Sequence, residues 1–180
     1  MKTELIKIKN EGDIPPEYRD TPVGQLLRYQ NLSMPFEKYD RAQMLIGMCM
    51  DNRKQLNIPE NFAYIIRTGG GNLRYSEFKL SYAIAIGGIR HVALIAHNEC
   101  GMVNLMSKRE DFIRGLCERA GWDRQRAEEH FMNYAPMFEI DNEAEFAAEE
   151  ARRLRNKYKG ILFAPLYYTL EDNRLSVIPR

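Results

Sequence analysis

Short continuous apolar runs punctuate the chain: Met44-Leu45-Ile46-Gly47-Met48-Cys49, Phe62-Ala63-Tyr64-Ile65-Ile66, Val92-Ala93-Leu94-Ile95-Ala96 and Ile161-Leu162-Phe163-Ala164. Runs of this length suit strands buried on both faces of a parallel sheet. Between the second and third lie Gly69-Gly70-Gly71 and a helical stretch over about 73–87 that carries Phe78, Tyr82, Ile84 and Ile86. Strand, glycine turn, helix and strand make a parallel crossover unit. After Gly101 the pattern turns helical, over about 102–107, 109–120, 123–134 and 142–158. The last of these is rich in Glu, Ala and Arg, as an exposed-face helix should be. Leu166 to Leu170 and Leu175 to Ile178 flank Glu171-Asp172-Asn173, a hairpin turn that adds an edge strand.

The first 40 residues obey a different grammar. Residues 1–20 are polar, and Pro15-Pro16 interrupts any regular element. Thr21 caps a predicted helix over 22–31, with Leu26 and Leu27 as its apolar content. This region reads as a loose arm or, on the better reading, as an arm packed on a partner subunit. The whole predicts one α/β domain over 1–180, with an N-terminal helical arm (1–40) and an α/β core (41–180). That core is a mostly parallel central sheet with an antiparallel edge strand and helices on both faces. Ligands of such a sheet gather beyond the carboxyl ends of its strands, where the chain reverses its winding.

Bulk composition narrows the partners. Lys plus Arg is 26 and Asp plus Glu is 25, for a formal charge of +1. That leaves no basic excess for nucleic acid and no acidic tail. The opening MKTELIKIKNEGD lacks the apolar stretch of a secretory signal. No apolar run approaches the roughly 20 residues that span a bilayer. Three cysteines do not make a disulfide framework, so a reducing cytoplasm is the expected location.

The chemistry sits at two strand ends. Cys49, Asp51 and Arg53 alternate along Cys-Met-Asp-Asn-Arg, and His97-Asn-Glu-Cys100-Gly101 closes the third run. Two thiolates and one imidazole with a vacancy suit a catalytic zinc, since a structural zinc normally fills all four positions with protein. Two thiolates cancel the charge of Zn²⁺, so a further group must orient the nucleophile. Asp51, gripped bidentately by Arg53, can do so. Singly, each piece has a plain explanation: a cysteine beside a strand is usually core, and an Asp–Arg pair is usually a salt bridge. Their conjunction at strand ends is what points to a metal.

Cys49-Met-Asp51-Asn-Arg53, Ile65-Ile66-Arg67-Thr-Gly-Gly and His97-Asn-Glu-Cys100-Gly101-Met102 together resemble the β-class carbonic anhydrases, in their compact prokaryotic form. The resemblance runs over about 43–106 and continues into 161–178. It implies a zinc held by Cys49, His97 and Cys100, with Asp51 and Arg53 as the dyad beside it. The implied reaction is reversible hydration of CO₂ to bicarbonate by a zinc-bound hydroxide, with the Gly101 N–H assisting a substrate oxygen. The resemblance also implies at least a homodimer, even-numbered if larger, with active sites near the subunit interface and the arm laid across the neighbour.

The chain departs from the family pattern at Asn52, Thr68-Gly69-Gly70 and Asn98. In some members the aspartate takes the fourth zinc position, and Asp51 stands where it can do the same. Two alternatives stay open: hydrolysis of carbonyl sulfide or carbon disulfide, and a zinc-binding protein without catalysis. His91, at the strand end opposite the metal, reads as a surface residue, and His130 as structural. Cys117 falls on a helical stripe with Phe112, Ile113, Leu116 and Ala120 and is expected in a core. Trp122 is expected to anchor packing. The glycine run lacks the pattern of a phosphate loop and instead suggests close backbone approach.

Overall fold

The structure is a computed structural model and describes residues 4–179. Its elements, in chain order, are β1 (Ile6–Lys7), α1 (Pro16–Arg19), α2 (Pro22–Asn31), β2 (Met44–Cys49), β3 (Ala63–Thr68), α3 (Glu77–Ala85), β4 (His91–His97), α4 (Arg109–Ala120), α5 (Arg124–Phe138), α6 (Glu143–Lys157), β5 (Leu162–Thr169) and β6 (Arg174–Val177). One six-stranded sheet runs in the order β1-β6-β5-β4-β2-β3. The four strands from β5 to β3 are parallel, while β6 and β1 add antiparallel pairings at one edge.

Both faces are covered. Val23, Leu26 and Leu27 of α2 pack on Ile46, Met48, Ala93, Ile95 and Leu166. On the other face, Leu80 and Ala83 of α3 and Ala151 and Leu154 of α6 pack on Leu45, Val92, Leu94 and Phe163. The alternation within β2 and β4 explains their unbroken apolar spelling, because successive residues enter opposite layers. A six-residue β2 and a seven-residue β4 buried this way account for the two runs that flank the site.

Three expectations change. The N-terminal arm is not loose: Ile8, Ile14, Tyr18, Val23, Leu26, Leu27 and Tyr29 are all buried in this chain's own core. The polar residues between them disguise that burial. Close approach of α1 and α2 depends on Gly24, where a Cβ would stand 2.3 Å from the Tyr18 carbonyl oxygen. Secondly, β5 runs straight through Pro165, where the apolar pattern suggests separate segments. The Pro165 carbonyl accepts the Ile178 N–H at 3.1 Å, just past the end of β6, so the missing proline donor falls where that ladder has ended. Thirdly, only Ile113 of the predicted α4 stripe is buried, and Cys117 is half-buried. Helices α4 and α5 pack on each other away from the sheet, so their inner surface is narrow. Trp122 does anchor packing there, against His130 at 5.2 Å and under the Arg126 guanidinium at 4.2 Å.

The charges of α6 also do more than pair along the helix surface. Glu150, 1% exposed, takes Arg153 bidentately and Arg74 from the opposite element, and Arg153 continues to Glu77 of α3. This network ties α6 to α3 across the sheet face.

Candidate metal centre

Cys49 is the last residue of β2 and His97 the last of β4, and these strands are parallel neighbours with Met48 opposite Ile95. The register therefore brings both side chains to the same carboxyl end. From β2 the chain moves outward to β3 and then crosses back to β4 on the other side, so this is the point where the winding reverses. Cys100 arrives from the turn after β4. One ligand atom from each of Cys49, His97 and Cys100 lies within 4.8 Å of the others, and all three residues are buried. No other such group of histidine, cysteine and carboxylate side chains occurs among the described residues.

The three side chains fit a zinc ion. The sulfurs of Cys49 and Cys100 stand 3.9 Å apart. Two thiolates on one tetrahedral zinc, at about 2.3 Å each, would be separated by about 3.8 Å. The His97 Nδ1–H donates to the Asn98 carbonyl at 2.8 Å, which fixes the tautomer and leaves Nε2 with a free lone pair. That Nε2 is buried with no hydrogen-bond partner among the described residues. A buried acceptor without a donor is costly, and a metal ion is the simplest partner for it.

Without a metal the two thiols share one proton. Cys49 is pushed well below the usual thiol range, first by a hydrogen bond from Cys100 and then, against the opposing effect of burial, by the backbone N–H groups of Asp51 and Gly70. Cys100 is pushed upward because it holds the proton beside that thiolate. Gly70 reaches this position with φ +64 and Gly71 with φ +72, a left-handed pair that favours glycine. The glycine run is thus the close backbone approach that the sequence suggests.

Asp51 follows in the loop after β2. Its Oδ1 accepts the Arg53 backbone N–H at 2.9 Å, and the Arg53 guanidinium holds both oxygens, at 2.7 Å from Nη2 to Oδ2 and 3.1 Å from Nε to Oδ1. These bonds from Arg53 keep the carboxyl far below the usual carboxylate range, so it stays ionised. Asp51 is not part of the three-ligand cluster.

Sequence reasoning missed a second grip on the dyad. Arg53 also bonds the Glu99 carboxylate at 2.9 Å and the Glu99 carbonyl at 3.0 Å, which ties the two ligand loops together. Glu99 adopts φ +56 to do so. Asn98 bonds the Leu170 N–H and the Glu171 carboxylate, which fastens the His97 turn to the β5–β6 turn. Gly101 is exposed, and its carbonyl accepts Lys108 Nζ at 2.6 Å. Two further cations, Lys54 and Arg67, bond carbonyls of the Asp51 loop. In the sequence Lys54 sits in a polar stretch with no distinguishing signal, and Arg67, though part of the Ile65-Ile66-Arg67 motif, gives no sign that it braces the Asp51 loop.

Two cavities reach residues of the ligand loops, though none of Cys49, His97 and Cys100 lines either. One, of about 470 Å³, is polar and is lined by Arg53, Gln30, Gln55, Tyr168 and Arg174. The other, of about 260 Å³, is lined by Met102, Phe112, Phe131, Tyr134 and Phe138.

No protein-family model matches the chain, and no curated protein matches its sequence. Solved structures do match by fold. A carbonic anhydrase from Glaciozyma antarctica superposes with a TM-score of 0.61 at 22% identity, over 92% of this chain and 96% of that one. A β-carbonic anhydrase isoform from Trichomonas vaginalis superposes with a TM-score of 0.64 at 16% identity, over 82% and 88%. A carbon disulfide hydrolase in its apo form gives 0.56 at 18% identity, over 92% of each chain. The chain therefore has the fold of the β-carbonic anhydrases, a fold that it shares with a carbon disulfide hydrolase.

Proposed function

We propose that this chain is an enzyme that hydrates CO₂ reversibly to bicarbonate, with a zinc ion held by Cys49, His97 and Cys100. The observation that carries this reading is the convergence of two sulfurs and an unpartnered buried imidazole nitrogen, with an arginine-clamped carboxylate two residues along the chain from one of the sulfurs. When bound, zinc acidifies water and so supplies a nucleophile near neutral pH. Asp51, ionised and therefore acceptor-only, orients the attacking water by taking its proton-bearing side. Arg53 fixes Asp51 and is itself fixed by Glu99. The Gly101 N–H offers a donor to one substrate oxygen.

The second reading, hydrolysis of carbon disulfide or carbonyl sulfide, is favoured by the likeness to the carbon disulfide hydrolase. Stopped-flow CO₂ hydration run beside a sulfide-release assay separates the two. The proposal expects acceleration of CO₂ hydration between pH 7 and 9. Sulfide release with no CO₂ hydration anywhere in that range would transfer the assignment to the hydrolase. Zinc uptake with neither activity would leave a non-catalytic zinc protein.

The same reading includes a second copy of the chain as partner. Strand β3 ends the sheet, with Tyr64 47% and Ile65 45% exposed. Beside it Phe78 and Tyr82 of α3, with Ile86 just past its end, form a stripe at four-residue spacing that is 57–80% exposed. An open strand edge next to an apolar helix stripe is a surface that a soluble chain covers. Light scattering on a sizing column is expected to give a dimer or a larger even-numbered assembly. The Phe78→Glu, Tyr82→Glu variant is expected to run as monomer. A wild-type monomer at tens of micromolar would contradict the assembly. Two unoxidised thiol ligands suit a reducing compartment, and we assign the protein to the cytoplasm on that ground. No helix among the described residues is long and apolar enough to cross a membrane.

A further inference from the structure

Lys54 is a buried charge that the proposed reaction leaves unused. The residue is 1% exposed. Its ammonium donates to the Asp51 carbonyl at 3.2 Å, and no carboxylate pairs with it among the described residues. The Asp51 carboxylate is committed to Arg53. A buried ammonium without a counter-ion is strongly disfavoured, so its surroundings have to supply negative charge. Burial pushes Lys54 below the usual ammonium range, and Arg67 adds a like charge in the same direction. Cys49, Asp51 and Cys100 pull it back upward. Arg67 braces the loop by donating to the carbonyls of Cys49 and Asp51 at 3.3 Å and of Lys54 at 3.2 Å. Its ammonium is thus held against the backbone carbonyl of Asp51, two residues beyond the candidate sulfur ligand Cys49.

Two thiolates cancel the charge of a divalent metal, which leaves a centre with no surplus charge to attract an anion. The product of CO₂ hydration is an anion. We propose that Lys54 supplies the missing charge, as a buried cation that favours a small anion of the bicarbonate class in the Cys49–His97–Cys100 site. It acts through space and touches no reacting atom, so it is a positioning residue. The inference rests on the metal reading above.

The test uses the full chain loaded with cobalt(II), whose visible spectrum reports both ligand set and anion binding. Thiocyanate is titrated into wild type, Lys54→Met and Lys54→Gln. Glutamine keeps a donor for the Asp51 carbonyl but removes the charge, so it remains informative should the methionine variant fail to fold. Thiocyanate affinity is expected to fall about tenfold or more in both variants. The thiolate-to-cobalt absorption and metal content should not change, and the melting temperature should stay level or rise, because a buried charge has been removed. A purely structural lysine would lower the melting temperature and leave anion affinity alone. Affinity within twofold of wild type in Lys54→Gln overturns the proposal, as does a cobalt-loaded wild type that binds no thiocyanate. A wild type that takes up no cobalt overturns the metal reading itself.

Discussion

Asp51→Asn is expected to slow CO₂ hydration by about 10²–10³-fold while leaving zinc bound. The reason is the number of acceptors that Asp51 offers. A carboxylate presents about four lone-pair directions and no donor. Arg53 uses most of them, through its backbone N–H, Nε and Nη2. What remains can only accept, which tells an attacking water which way to face. An asparagine replaces one oxygen with an NH₂ group that must either oppose the guanidinium donors or turn toward the water as a donor. Either arrangement loses the orientation. Because Asp51 stands outside the ligand cluster, zinc content should hold. The check is a stopped-flow rate together with metal analysis of the same sample. A rate within threefold of wild type, with zinc intact, would remove Asp51 from the reaction.

Cys100→Ala is expected to weaken zinc binding by roughly two to three orders of magnitude, one ligand's share of the binding free energy of a four-ligand site. The effect should appear in chelator competition, independently of any activity. In the metal-free chain, Cys49 owes its low thiol range first to the hydrogen bond from Cys100. The variant therefore loses a ligand and also changes the proton shared by the metal-free pair. His97→Ala should lose zinc for a different reason, since it deletes the single nitrogen donor. Unchanged chelator competition in Cys100→Ala would place the metal elsewhere.

Much of this centre is legible in the sequence because its parts stand at the ends of strands that spell themselves out. Strand β2 occupies the predicted 44–49, and α2 the predicted 22–31, with Thr21 accepting the Val23 and Gly24 N–H groups as its cap. Once β2 and β4 are read as neighbouring parallel strands, Cys49 and His97 must meet. What stays hidden depends on contacts between distant residues. The burial of Ile8, Ile14 and Tyr18 has no period, because prolines and turns separate them. Pro165 reads as a strand breaker until the end of β6 is known to lie beside it. Glu99 and Lys54 look like solvated charges, and only the folding of two loops onto each other shows that one holds Arg53 and the other is buried. The α4 stripe fails in the opposite sense: its spacing is right, but the layer that would bury it is not part of this chain's sheet packing.

The central claim is that two sulfurs and one ring nitrogen grip a zinc ion and leave one corner to solvent. X-ray absorption at the zinc edge, with metal stoichiometry on the same reconstituted protein, tests it most directly. The account predicts one zinc per chain with two sulfurs at about 2.3 Å, one nitrogen and one further light atom at about 2.0–2.1 Å. That light-atom shell should persist in Asp51→Ala, which has no side-chain oxygen to offer and so identifies the shell as solvent and not the carboxylate. A reconstituted protein that holds no zinc, or a shell without two sulfurs, would contradict it.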